Sequence, residues 1–412
     1  MLHPSIFNDS SYVYMIKIYL LLLIALWGCS NKETYPIPIQ VQKLENYTVY
    51  SAEDKTTGEI SFIKDAVYGD SDEILIGSLG EISADRTGHV YISDSKSLII
   101  HVFEPEGTYS GSLGGDGRGP GEFSSIKSLQ IINDRLYAFD FRQNRINKFN
   151  LNTLLFQGTY SLAKNRANYR ELREFYPSID EIYVQSNSTY IVKFISTGHS
   201  KKIDWQNVEV KGTLYQMDSD GYLYRKVMEF TDGIRTIFPV RNVTFDIPLT
   251  PYFGQSLMAF SKEGKLYFDE SDLFLIKVYS PDGIYERAFY YPRKRIPITQ
   301  ESVLHNMVLD ELAILPELFI ENIKSIDLPQ YWPVLTDLKI DDQDRLWIAT
   351  TVEDMSIYEW WVLEETGELI TTFEWPRDEP IEVIKNGKMY TRETDEETGL
   401  QRVVRYGFEV ID

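Results

Sequence analysis

The chain has 412 residues and a formal net charge of −21, with 43% apolar and 14% aromatic residues. An acidic balance of that size argues against a nucleic-acid phosphate partner, which needs a basic footprint. The single cysteine, Cys29, excludes an internal disulfide framework and any zinc site built from several cysteines.

In chain order, the first feature is a targeting segment. Lys17 precedes the apolar run IYLLLLIALW, which is short for a membrane span and ends at Gly28-Cys29. LWGC resembles the lipobox of bacterial lipoproteins, in which the cysteine is acylated and becomes the new N-terminus. Residues 1–28 therefore read as a signal peptide. Residues 1–14 lack Lys and Arg, so translation is expected to start at Met15. The stretch 29–40 is polar with two prolines and reads as a tether. The expected location is the cell envelope, lipid-anchored in the periplasm or at the outer membrane, with the leaflet left open.

From residue 41 to 412 the pattern is that of strands. A turn followed by an apolar-aromatic-apolar strand recurs as TGHVYIS at Tyr91, NDRLYAF at Tyr137, EGKLYFD at Tyr267, QDRLWIA at Trp347 and NGKMYTR at Tyr390. A weaker copy, NSTYIVKF, sits at Tyr190. Most copies are followed by two further strands around a turn, as in HVFEPEGTYSGSLG. Such a four-stranded unit cannot bury both faces alone, and copies spaced roughly 40–80 residues apart fit propeller blades carrying insertions. The expected fold is all-β, a six-bladed β-propeller in one domain.

The blades fall at Leu79–Leu113, Ile126–Tyr160, an irregular third from Ile182 to Phe230, Leu257–Tyr291, Val334–Trp375 and Ile381–Ile411. STGHSKKIDWQNVEV reads as a loop inserted in the third. The last unit supplies three strands, and its missing outer strand is expected from the N-terminal region near Ile60–Val67, closing the ring. One stretch breaks the β pattern. Leu304, Val308, Leu312 and Leu315 recur at helical spacing after Thr299, a plausible N-cap, and before Pro316. A helical insertion at 299–324 is expected between blades four and five.

HVYISDSKSLIIHVFEPEGTYSGSLGGDGRGPGEFSSIKSL resembles NHL-type repeats, and most closely the six-bladed propeller lipoproteins of Bacteroidetes. The shared pattern is an aromatic-apolar strand ending in Asp, a turn, an I-x-V-F strand and a Gly-rich loop ending in Gly-Glu-Phe. The resemblance implies fold and compartment, and it implies little about activity.

Chemistry-bearing motifs are sparse. GGDGRGPG lacks the GxxxxGK[ST] pattern and precedes a strand, so it reads as an inter-blade connector rather than a phosphate loop. No two of the five histidines have metal-ligand spacing, and GxSxG is absent. The acidic turns DDQD and DEETG read as solvated hairpin tips. Asp94, Asp140 and Asp269 end equivalent strands and lie on the same face as the Gly-rich loop. Each either caps its own turn or joins a ring of acids around the channel that binds a cation or cationic ligand. Arg118, Arg142 and Arg145 sit on the same rim and suit carboxylates or acidic sugars.

The function expected is that of a monomeric, membrane-tethered, non-enzymatic binding propeller. Its partner would be a protein, peptide or glycan. No catalytic or metal residues are assigned, and the cofactor is unknown, a structural cation being one option. The alternative is a propeller enzyme, a metal-dependent lactonase or hydrolase or a lyase, with its site at the central channel. Converging carboxylates or histidines around an ion-sized gap would favour the enzyme; aromatics and isolated polar groups would favour binding.

Overall fold

The computed structural model describes residues 36–51, 56–71, 74–162, 172, 178–185, 189–196, 208–240, 243–247, 254–307 and 327–411. From Ile39 onward these form one unit. Six sheets of four or five strands follow one another along the chain, each built on four antiparallel strands with the first strand innermost. The first blade is Leu79–Ala84, Val90–Asp94, Ile99–Phe103 and Tyr109–Gly114. The others begin with Ser128–Ile132, Ser178–Val184, Leu257–Phe260, Leu335–Ile340 and Ile381–Lys385. The protein is an all-β, six-bladed propeller.

Local sequence sets the hairpins. Asn133-Asp134 joins Ile132 to Arg135 with both φ angles positive, 48° and 56°. Asn386-Gly387 does the same between Lys385 and Lys388. Two-residue turns of this hand match the twist of the strands they join.

A separate apolar layer fills each gap between neighbouring blades. Tyr91 of blade one packs with Leu129 and Leu136 of blade two. Tyr137 packs with Ile182 and Val192 of blade three, and Tyr267 with Leu346 and Ile348 of blade five. Trp347 packs with Ile381 and Met389 of blade six, and Tyr390 with Ile82 and Val90 of blade one. The repeated aromatic thus covers the next blade in the ring. The copy at Tyr190 is offset by one residue. Tyr183 opposite Ile191 is the equivalent of Ser83 opposite Tyr91. Ile191 therefore faces blade four, and Tyr190 turns back onto blade two. A shift of one residue in a strand reverses the face.

The ring closes as its ends require. Glu59–Tyr68 pairs antiparallel with Gln401–Ile411, Val67 opposite Val404 and Tyr68 opposite Val403. Before reaching that position the chain crosses two other blades. Tyr47–Val49 lies parallel to Tyr285–Tyr290 as a fifth strand of blade four. Tyr50 stacks on Tyr291 at 5.1 Å and donates its hydroxyl to the Thr366 carbonyl of blade five, 3.1 Å away. Gly58 N–H then donates to Ile370 O at 3.0 Å.

Two segments differ from expectation. In blade three, Val208–Met217 begins inside the stretch read as a loop, because Val208 and Val210 alternate inward. The strand Leu223–Val240 runs on into a hairpin with Val243–Ile247. Between blades four and five, the helix described is Gln300–Met307. Thr299 caps it: Ser302 N–H donates to Thr299 Oγ1 at 3.0 Å while Ser302 Oγ accepts from Thr299 N–H at 3.0 Å. The remainder of the expected insertion, Val308, Leu312, Leu315 and Pro316 included, lies outside the described residues, as do the leader, Cys29 and most of the tether.

Candidate functional site: the face of the Gly-rich connector

The second strand of each blade ends on the face where the next blade is entered. Asp94, Asp140 and Asp269 stand there, almost fully buried. Asp94 accepts from the N–H groups of Gly77 and Ser78, both at 3.0 Å, and from Lys96 N–H and Ser97 Oγ. Burial pushes its carboxyl up, but these donors outweigh that and hold it below the usual range. Asp140 accepts from Ser124 N–H, Ser125 Oγ and the backbone and amide of Gln143. Asp269 accepts from Ser271 and Leu275 N–H, and complete burial raises its carboxyl well above normal. The carboxylates are engaged as fasteners; Asp94 and Asp140 tie the entry of a blade to the end of its second strand. Thr350 takes the same register in blade five, opposite Leu335.

The Gly-rich connector is pinned from beneath. Arg145 donates to the carbonyls of Arg118, Gly119 and Glu122 at 3.1, 3.1 and 2.6 Å. Glu122 Oε2 in turn accepts from Gly119 N–H at 2.6 Å. Gly114 has φ +84°, and a Cβ there would strike the Phe123 ring, so a glycine is required. Arg145 is thus a structural residue of the rim.

Arg118 and Arg142 are placed differently. Both are exposed. They line an open groove of about 700 Å³ with Lys96, Asp116, Ser95 and Ser124, bounded by the blade-one turn, the connector and the blade-two turn. Among the described residues, none of the side chains of Lys96, Arg118, Arg142 and Asp116 has an ion-pair partner.

Sequence reading did not find the second feature of this face, the charged mouth of the central channel. Glu81, Asp180, Glu181, Asp337, Lys339 and Glu382 lie on first strands, and Lys127 immediately precedes one. Lys193 and Arg392 project from second strands. The charges interlock. Asp180 contacts Lys127 at 2.7 Å and Lys193 at 3.1 Å; Lys193 also reaches Asp232 at 2.9 Å. Lys339 meets Asp337, and Arg392 meets Glu382, both at 2.8 Å. Arg392 also donates to the carbonyls of Leu79 and Gly80 at 2.8 Å, joining blade six to blade one. Burial alone would lower Lys339, but Asp337, Glu382 and Glu81 raise it, so charges from three successive blades act on it.

Glu81 differs from its neighbours. Among the described residues its carboxyl has no hydrogen-bond or ion-pair partner. Partial desolvation by the surrounding strands, then the charge of Glu382, pushes it up to about 7, against partial relief from Arg392, although the side chain stays open to water. The folded state therefore holds a proton that the unfolded chain has released above the ordinary glutamate value of 4.5. Glu81 favours the fold below that value and loses the contribution as pH rises toward 7. Glu81→Gln is expected to stabilise the protein at pH 8 and to flatten the pH 4.5–7 stability profile. Because water reaches this carboxyl, the expected gain is roughly 1 kcal/mol, read from urea unfolding.

The remaining motifs serve structure. Asp341 of DDQD is buried and accepts from Trp347 Nε1 at 3.0 Å and from Arg345 Nε at 2.7 Å. It is an anchor rather than a solvated tip, and Asp85 treats Tyr91 in the same way. His89 contacts Glu104 at 2.9 Å, whereas His101 is buried among Phe103 and Tyr109, and burial pushes its ring below the usual value. Among the described residues, no group of three or more His, Cys, Asp or Glu side chains is arranged to hold a metal ion.

A family profile, DUF5128, described as a 6-bladed beta-propeller, matches residues 40–174. Among solved structures, a DUF4221 family member from Bacteroides vulgatus is 11% identical, with a TM-score of 0.51, covering 87% of this chain and 100% of its own. A protein described as exported, from Bacteroides fragilis, is 12% identical with a TM-score of 0.49, covering 89% and 100%. A virginiamycin B lyase from Staphylococcus aureus is 10% identical with a TM-score of 0.38, covering 85% and 99%. No curated protein matches. Among the described residues no helix is long and apolar enough to cross a membrane. At 11% identity the likeness to the DUF4221 family member is one of fold alone, and the family profile over residues 40–174 supports the six-bladed propeller.

Proposed function

We propose that the chain is an extracytoplasmic lipoprotein of the NHL-like propeller type, acting as a ligand- or protein-binding module. In this reading Cys29 carries the lipid, residues 30–40 form the tether, and a helical insertion follows Thr299. The observation that carries the binding role is the groove. In a chain of net charge −21, three cations line one open cavity without ion-pair partners. Surface cations not needed by the fold are available to a ligand, and charge-assisted bonds to Arg are among the strongest polar contacts.

The test has two arms. Cys29→Ala is expected to move the full-length protein from the membrane to the soluble fraction and to abolish incorporation of labelled fatty acid. Retention of both would overturn the anchor. Binding to envelope fractions is expected to fall when Lys96, Arg118 and Arg142 are replaced by Ala together. Unchanged binding would remove the groove from the reading.

One observation favours a second reading, an enzyme working at the channel. Among the described residues the Glu81 carboxyl at the channel has no hydrogen-bond or ion-pair partner, and a carboxyl left free in this way and pushed up by its surroundings would serve as a general acid or base. Its neighbours, however, are spent on each other in ion pairs, and loss of an activity on Glu81→Gln without loss of groove binding would decide for it.

A further inference from the structure

The binding reading leaves the ligand open, and the donors and acceptors of the groove narrow it. The two guanidinium groups and the Lys96 ammonium are donors only, so they call for an anion. Asp116, also without an ion-pair partner among the described residues, is an acceptor only. Inorganic phosphate offers Asp116 little at neutral pH and repels it. A ligand that satisfies the whole groove carries negative charge at one place and hydroxyl donors at another. Ser95 and Ser124 add groups that both donate and accept. The apolar lining is confined largely to Leu98 and Ile126. An acidic peptide would want apolar pockets for alternate side chains or a free strand edge, and the groove is walled mostly by turns.

We propose that the groove between blades one and two binds a sugar acid, a uronic-acid-bearing oligosaccharide. Arg118 and Arg142 would take its carboxylates and Asp116 its ring hydroxyls. The proposal rests on the binding reading above and names the ligand class for that same groove.

The test uses the full-length chain in detergent and isothermal titration with trigalacturonate, the neutral trisaccharide cellotriose, hexaglutamate and inorganic phosphate. Trigalacturonate is expected to bind with an affinity that falls as salt is raised, and cellotriose to bind far more weakly. Arg118→Ala and Arg142→Ala are each expected to weaken binding about tenfold, one charge-assisted bond lost. Asp116→Asn is expected to weaken trigalacturonate while leaving phosphate unchanged or improved. All three side chains are exposed, so thermal melting should match wild type and exclude misfolding. Binding of hexaglutamate or phosphate alone would overturn the sugar-acid proposal and leave the binding reading standing. Trigalacturonate binding that ignores all three substitutions, or no binding by any probe, would overturn it too. The envelope-binding experiment decides the broader reading separately.

Discussion

A chain shortened to begin at Gly69 is expected to lose cooperative unfolding and to aggregate. The shortening removes Glu59–Tyr68, the outer strand of blade six, and uncovers the edge of Gln401–Ile411. It also removes Tyr68, fully buried against Phe103 and Tyr390, whose hydroxyl donates to Pro105 O at 2.7 Å. Phe62, packed on Phe373, Trp375 and Phe408, goes as well. Two large aromatic side chains and a full ladder of backbone bonds are together worth on the order of 5 kcal/mol or more, comparable with the whole stability of many domains. Exposed strand edges recruit other chains, which explains the expected aggregation. A synthetic peptide spanning residues 58–69, added in excess, should restore solubility and a single melting transition. A shortened chain that remains monomeric and melts as wild type would refute the closure as a determinant of stability.

Trp347→Ala is expected to be the most damaging single substitution tested. Trp347 is fully buried between blades five and six, with Phe408 at 5.0 Å and Phe373 at 5.8 Å. Removing it opens a cavity the size of an indole and leaves one acceptor of Asp341 without its donor. Deletions of this kind cost about 4 kcal/mol, a fall in Tm on the order of 8 °C. Trp347→Phe should recover most of that loss, because it refills the gap and forfeits only the N–H. If calorimetry finds the two variants equal, the gap has been closed by movement of the blades.

The architecture was legible because propeller blades repeat a local pattern. The aromatic of each strong copy marks the face turned to the next blade, and the closure follows from a final unit one strand short. Tyr190 shows where pattern reading slips: aromatic character was matched, but pleat parity was not. The short strand Tyr47–Val49 was invisible as a partner of blade four, since three residues carry too little signal to identify a distant edge.

The site was less legible. Arg118 and Arg142 were singled out from their proximity to the Gly-rich connector and both line the groove, whereas Lys96 enters it from another turn and has no motif. Asp94 and Asp140, conspicuous as repeats, recur because the scaffold uses the same fastener twice. The charged channel mouth escaped notice for the opposite reason. Glu81, Glu382 and Lys339 occupy ordinary polar positions of alternating strands, and only the circular arrangement brings them toward one axis.

The path of the N-terminal segment has a mechanical consequence. Residues 47–50 and 58–68 touch blades four, five and six in turn, so a pull at the leading end loads several attachments before the seam itself. The parallel pairing with blade four and the long antiparallel seam both run lengthwise along their partners. Tension directed along those strands must slide many hydrogen bonds at once instead of unzipping them singly. A domain pulled from that end would therefore share the load among three blades before the ring opened.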